Sequence, residues 1–175
     1  ITLPAHAVNF SAAEKAKLKD GKTVIKELPS SGQRGFYGGS GYSLVNAPIE
    51  EVWKVITNWK AYPKMFPNTE VCTPVSRKGN RTLLKMKIGH PVVNVHYHAE
   101  MTEDKDKHSL SFKMLTNFPH DLESIKGYWR LFPQKGGRTL IAYVVSVQAP
   151  MGIIAIAGND LATRAIRALL KIPGD

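Results

Sequence analysis

From residue 69 to residue 147 apolar and polar residues alternate with a period of two, the mark of half-buried strands. Thr69 to Ser76 reads as a strand, and Lys78-Gly79-Asn80 as the turn after it. Arg81 to Ile88 puts Leu84, Met86 and Ile88 on one face and Lys85 and Lys87 on the other. After a turn at Gly89-His90-Pro91, Val93, Val95, Tyr97, Ala99 and Met101 share a face opposite Asn94, His96, His98 and Glu100. A charged turn, Glu103 to Lys107, precedes Leu110, Phe112 and Met114 at alternate positions. Leu122 to Phe132 is the next strand, with Gly127, Trp129 and Leu131 on one face and Tyr128 and Arg130 on the outer one. Gly136-Gly137 makes a hairpin. Thr139 to Val147 is nearly all apolar, which predicts a strand covered on both faces.

Helical signals lie on either side of this meander. Ser11 and Glu14 form a capping box for a helix over Ala12–Lys19, Gly21 stops it, and Thr23 to Leu28 reads as a strand. Tyr42 to Val45 is a strand that Phe36 and Tyr37 extend backwards. A turn at Asn46-Ala47-Pro48 opens an amphipathic helix carrying Val52, Trp53, Val55 and Ile56, with Asn46 or Ala47 at the cap and Pro48 in the first turn. Val52, Val55, Ile56 and Trp59 are spaced to share a buried face. Pro63 and Pro67 break the next stretch, and Tyr62, Met65 and Phe66 point inward. Pro150 ends the last strand, and Gly152 to Ile172 reads as one long helix. Consecutive strands closed by a helix imply one α+β domain with a curved antiparallel sheet.

Charge and composition narrow the partners. The chain has 175 residues, 43% of them hydrophobic, with 24 Lys and Arg against 14 Asp and Glu and a net charge of +10. That excess favours an anionic partner, but no block of like charges forms a nucleic-acid arm. The longest apolar run, Ala149 to Ala157, is too short to span a bilayer. The single Cys72 excludes an internal disulfide and reads as a buried structural thiol. The chain opens on Ile1, and Leu3-Pro4-Ala5-His6-Ala7 carries the A-x-A pattern of a signal-peptide cleavage site. The expected location is therefore periplasmic or secreted, with the cytoplasm as the alternative.

Three stretches together resemble the START-related helix-grip superfamily, which includes polyketide cyclases and coenzyme Q-binding proteins. They are Ala47-Pro48-x-x-x-Val52-Trp53-x-x-x-Thr57-Asn58-Trp59-x-x-Tyr62-Pro63-x-x-x-Pro67; Gly127-x-Trp129-x-Leu131-x-Pro133 with Gly137-x-Thr139-x-Ile141-x-Tyr143; and the long C-terminal helix. The resemblance implies a seven-stranded antiparallel sheet around that helix, two short helices plugging one end, and a cavity that often holds an apolar ligand. Residues 1–35 fall outside the pattern and read as an accessory helix and strand; residues 36–175 form the ligand-binding domain.

On this reading the cavity wall comprises Met86, Ile88, Val93, Val95, Tyr97, Phe112, Met114, Trp129, Leu131 and Tyr143, with Ile156 and Leu161 from the closing helix. Met and aromatic side chains make an adaptable apolar lining. His120 and Glu123 are the candidate polar contacts. His96, His98 and Glu100 share a strand face, but the opposite face is the apolar one, so they read as surface residues and not as a metal site. Arg164, Arg167 and Lys171 form a basic stripe suited to transient contact with an anionic membrane. Gly38-Gly39-Ser40-Gly41 lacks the Lys-Thr or Lys-Ser of a phosphate loop, and no Ser-His-Asp order, CxxC or HExxH occurs. The expected function is binding of a hydrophobic small molecule or lipid without metal or cofactor. The alternative is a cyclase or aromatase that uses Glu123, His120 or a cavity tyrosine for proton transfer.

Overall fold

The computed structural model describes residues 8–27, 36–66, 68–89 and 94–153. Eight strands form one antiparallel sheet: β1 (Val24–Glu27), β2 (Phe36–Val45), β3 (Thr69–Lys78), β4 (Arg81–Ile88), β5 (Val95–Asp104), β6 (Ser109–Met114), β7 (Ser124–Gln134) and β8 (Arg138–Gln148). Their order is β1-β2-β8-β7-β6-β5-β4-β3. Strands β3 to β8 are a meander, because each connection is short enough to return the chain beside itself. Strand β2 crosses to the far side and pairs β8 along its length, from Phe36 opposite Gln148 to Val45 opposite Thr139. The seven strands β2–β8 are the expected sheet, and β1 adds an eighth at the β2 edge.

The all-apolar strand β8 is explained by covers on both faces. Ile141, Tyr143, Val145 and Val147 join the main core, whereas Leu140 and Ala142 pack outward with Phe10, Leu18, Val24, Tyr42 and Leu44. The outer cover includes α1 (Ala12–Lys19). Its capping box is formed: the Glu14 N–H donates to the Ser11 hydroxyl, and the Ser11 N–H donates to the Glu14 carboxylate.

Helix α2 (Ile49–Ile56) departs from expectation in two details. Pro48 itself is the cap, with no side-chain bond from Asn46 or Ala47, and Glu50 and Glu51 stand in the first turn. Val55 is 50% exposed, while Trp53 is 6% exposed and takes the inner position. The helix ends at Ile56, so Trp59 is not tied to its stripe. The face then rotates to bury the larger indole beside Val52 and Ile56, which gains more than burying Val55. A 3-10 turn (Trp59–Ala61) and α3 (Tyr62–Met65) come next and pack on β3. The Tyr62 hydroxyl donates to the Ile56 carbonyl at 2.7 Å and ties the two short helices together.

Met151–Ile153 are helical and stand at the start of the helix expected over Gly152 to Ile172. The remainder lies outside the described residues, as do Val93, Ile156, Leu161, Arg164, Arg167, Lys171 and the stretch from Leu3 to Ala7.

Candidate functional site

The inner face of the sheet is a continuous wall of carbon. Alternation along β4 to β8 directs Leu84, Met86, Tyr97, Ala99, Met101, Leu110, Met114, Ile125, Trp129, Leu131, Tyr143 and Val145 to it, all buried. Ile88, Val95 and Phe112 are partly buried and pack against the same cluster. Every described wall candidate of the sequence is thus on this face. Phe66, Leu84, Met101 and Leu110 belong to it as well. The three strand residues follow from the alternation, and Phe66 is buried as the inward-pointing residue expected just before Pro67.

Aromatic rings organise the centre of the wall. Trp129 stacks on Tyr143 with centroids 4.2 Å apart, Phe112 stacks on Tyr143 at 6.0 Å, and Phe66 leans on Trp129 at 5.7 Å. Trp59, Tyr62 and Phe66 meet edge-on, which links α3 to the sheet. Burial pushes the Tyr97 and Tyr143 phenols well above their usual range, with the nearby Cys72 adding to the effect on Tyr97 and Tyr97 to that on Tyr143. Both are therefore neutral hydroxyls at physiological pH. Neither has a hydrogen-bond partner among the described residues, unlike Tyr62. A neutral hydroxyl on an apolar wall is a group that orients a ligand without demanding charge from it.

Cys72 lies in the same environment, and burial pushes its thiol up to about 12. A shift of that size leaves roughly a thousandfold less thiolate at neutral pH than an ordinary cysteine has. In the folded protein at pH 8, reaction with Ellman's reagent is expected to be slower than in guanidinium by at least about a hundredfold. Equal rates in the two states would contradict a buried thiol.

Thr82, 2% exposed, ends the wall at β4, and its hydroxyl has no hydrogen-bond partner among the described residues. An unsatisfied buried hydroxyl costs about 1–3 kcal/mol. Thr82→Val keeps the shape and removes the polar atom, so it is expected to raise stability by about 1 kcal/mol in urea unfolding. A loss of that size would show that the hydroxyl is satisfied.

The polar candidates are elsewhere. His120 and Glu123 are both exposed. His120 approaches the Phe118 carbonyl, and Glu123 precedes β7, its N–H donating to the Gln148 carbonyl. Parity places Glu123 on the Trp129 face only if the strand already runs at residue 123, and β7 begins at Ser124. His96 is exposed and bonds Asp121 through its Nδ1 at 2.9 Å, and the His96 N–H donates to the same carboxylate at 2.7 Å. That backbone bond, with the imidazole second, holds the Asp121 carboxyl below its usual range. His98 stacks on Phe118 at 4.6 Å. Among the described residues no group of three His, Cys, Asp or Glu converges as a metal site. At the other end, His108 bonds Glu50 at 2.9 Å and lies edge-on to Trp53, fastening α2 over the β5–β6 turn.

The same fold recurs in known proteins. A family model described as polyketide cyclase / dehydrase and lipid transport matches residues 45–172. No curated protein matches the sequence. Among solved structures, a protein of Thermus thermophilus superposes with a TM-score of 0.63 at 18% identity, covering 75% of this chain and 90% of its own. The Zhui aromatase/cyclase from Streptomyces sp. R1128 gives 0.61 at 18%, covering 77% and 84%. A STAR-related lipid transfer protein from Xanthomonas axonopodis gives 0.63 at 15%, covering 85% and 88%. At such identities the likeness establishes the fold alone.

Proposed function

The chain belongs to the polyketide cyclase / dehydrase and lipid transport family, and on that premise we propose that it binds a hydrophobic small molecule or lipid on the inner face of its sheet and carries it unchanged. One observation carries this reading. The aromatic wall of Phe66, Trp129, Tyr143 and Phe112 bears the Tyr97 and Tyr143 hydroxyls, neutral and without partners among the described residues. Burial of a methylene is worth about 0.8 kcal/mol, so a ten-carbon chain supplies roughly 8 kcal/mol before ordering costs. That is the scale of a micromolar dissociation constant, about −8.2 kcal/mol. A phenol hydroxyl then needs only to set the direction in which the ligand lies.

A transformation would require an acid or base beside the bound ligand. The two carboxylate and imidazole candidates, Glu123 and His120, are exposed, and the described inner face contributes phenols that burial keeps protonated, able to donate a proton but, among the described residues, with no buried carboxylate or imidazole beside them as a base. The carrier reading therefore has more support than the cyclase reading. Location in the periplasm, and contact of Arg164, Arg167 and Lys171 with an anionic membrane, fit a carrier and are part of the same proposal.

The test uses 1-aminoanthracene fluorescence and its displacement by decan-1-ol. Saturable binding and micromolar displacement are expected, and Tyr143→Phe should weaken decan-1-ol binding by about threefold to tenfold while the fold is kept. Absence of probe binding, together with no apolar molecule in organic extracts of the purified protein, would overturn the proposal.

A further inference from the structure

The outer face of the sheet is not uniformly convex. Beyond the part covered by α1, an open trench of about 480 Å³ crosses the strands from Arg81 on β4 to Val144 and Ser146 on β8. Cross-strand register sets its two sides. One side runs Arg81, Thr102, Ser111, Tyr128, Val144, each opposite the next. The other runs Glu100, Lys113, Lys126, Ser146. Short hydroxyl residues make the floor, and Tyr128, 43% exposed, stands over it.

The charges here break a rule of sheet construction. Lys113 and Lys126 are directly opposite on neighbouring strands, a like-charged pair that destabilises a sheet. Glu100 lies 3.7 Å from Lys113 and offsets one of the two. Lys126 and Arg81 have no ion pair among the described residues. Lys78 and Arg81 also face each other, across the β3–β4 pair, so uncompensated positive charge gathers along the trench, where a bound group can supply the missing charge.

We propose that the trench binds an extended, acidic segment of a partner protein, with carboxylates reaching Lys113, Lys126 and Arg81 and apolar side chains lying on Tyr128 and Val144. Shape and spacing select this occupant. Arg81 is two strands across from Lys113 and two residues along, about 12 Å at the usual spacings, so the cations are spread in a line and not gathered round one point. In an extended chain residues four apart, about 13 Å at 3.3 Å each, point to the same side and match that separation. A flat bilayer cannot reach the floor of a trench, and the carbon surface of Tyr128 and Val144 gives a bare anion nothing to contact.

The probe is a dye-labelled peptide, Asp-Ser-Leu-Ser-Asp-Ser-Glu, whose acids and leucine share one face when it is extended, followed by fluorescence anisotropy at low salt. Lys113→Glu with Lys126→Glu should weaken its binding by at least about tenfold. Lys17→Glu with Lys19→Glu, on the exposed face of α1, makes the same change in net charge and should alter it by less than about twofold. Lys113 and Lys126 are exposed, as are Lys17 and Lys19, so circular dichroism should be the same for both variants. Equal loss in the two variants would reduce the effect to net charge and overturn the proposal. So would the absence of binding by the parent protein, or a trench-dependent preference for phosphatidylglycerol vesicles over the peptide.

Discussion

Trp129→Ala is expected to lower the unfolding free energy by about 3–5 kcal/mol, the largest loss for any side chain of the wall. The indole is 2% exposed and is held between Tyr143, stacked at 4.2 Å, and Phe66 at 5.7 Å. Its removal leaves a void flanked by rings that are fixed by a strand on one side and by α3 on the other, so the space cannot collapse. Tyr128→Ala is the internal control. That ring is one residue away, 43% exposed on the opposite face, and its loss should cost under about 1 kcal/mol. Denaturant unfolding of both variants measures the contrast; similar costs would mean that the stacked wall does not carry the stability assigned to it. Should Trp129→Ala fail to accumulate, Trp129→Phe retains a ring, and its loss should fall between the two.

The same contrast shows what the sequence makes legible. Trp129 inside and Tyr128 outside follow from alternation alone, as do Leu84 and Met86 against Lys85. The capping box at Ser11 is equally local, since both of its partners lie within one turn. Legibility fails where an element is short or its boundary matters. Val55 fits a helical stripe, yet an eight-residue helix is free to rotate toward Trp53, and it does. Glu123 fits the parity of a strand that has not yet begun. The trench is not visible in any local pattern, because Lys113 and Lys126 become neighbours only through the β6–β7 register. Tyr97 and Tyr143 are readable as wall residues, but whether their hydroxyls find partners depends on every side chain around them.

Gly127→Ala should be the most damaging small substitution, costing about 3 kcal/mol or more, at or above the upper end for overpacking. A methyl group at residue 127 would overlap the Val144 carbonyl oxygen and stand 2.6 Å from the Phe112 ring. The ring can turn aside, but the carbonyl belongs to β8, whose ladder with β7 pairs Gly127 with Val145. Moving it means separating the two strands at the centre of the sheet, where Trp129 and Tyr143 form the next pair on the same face. The cost is steric and not conformational, which a second glycine separates. Gly79→Ala, at a turn with φ of +60° and open space around it, should lose only the roughly 1 kcal/mol of a left-handed residue. Because the overlap also displaces Phe112 from Tyr143, Gly127→Ala should weaken decan-1-ol binding in the fraction that folds, whereas Gly79→Ala should leave it unchanged. Equal stability losses in the two variants would show that β7 and β8 are not packed as closely as this wall requires.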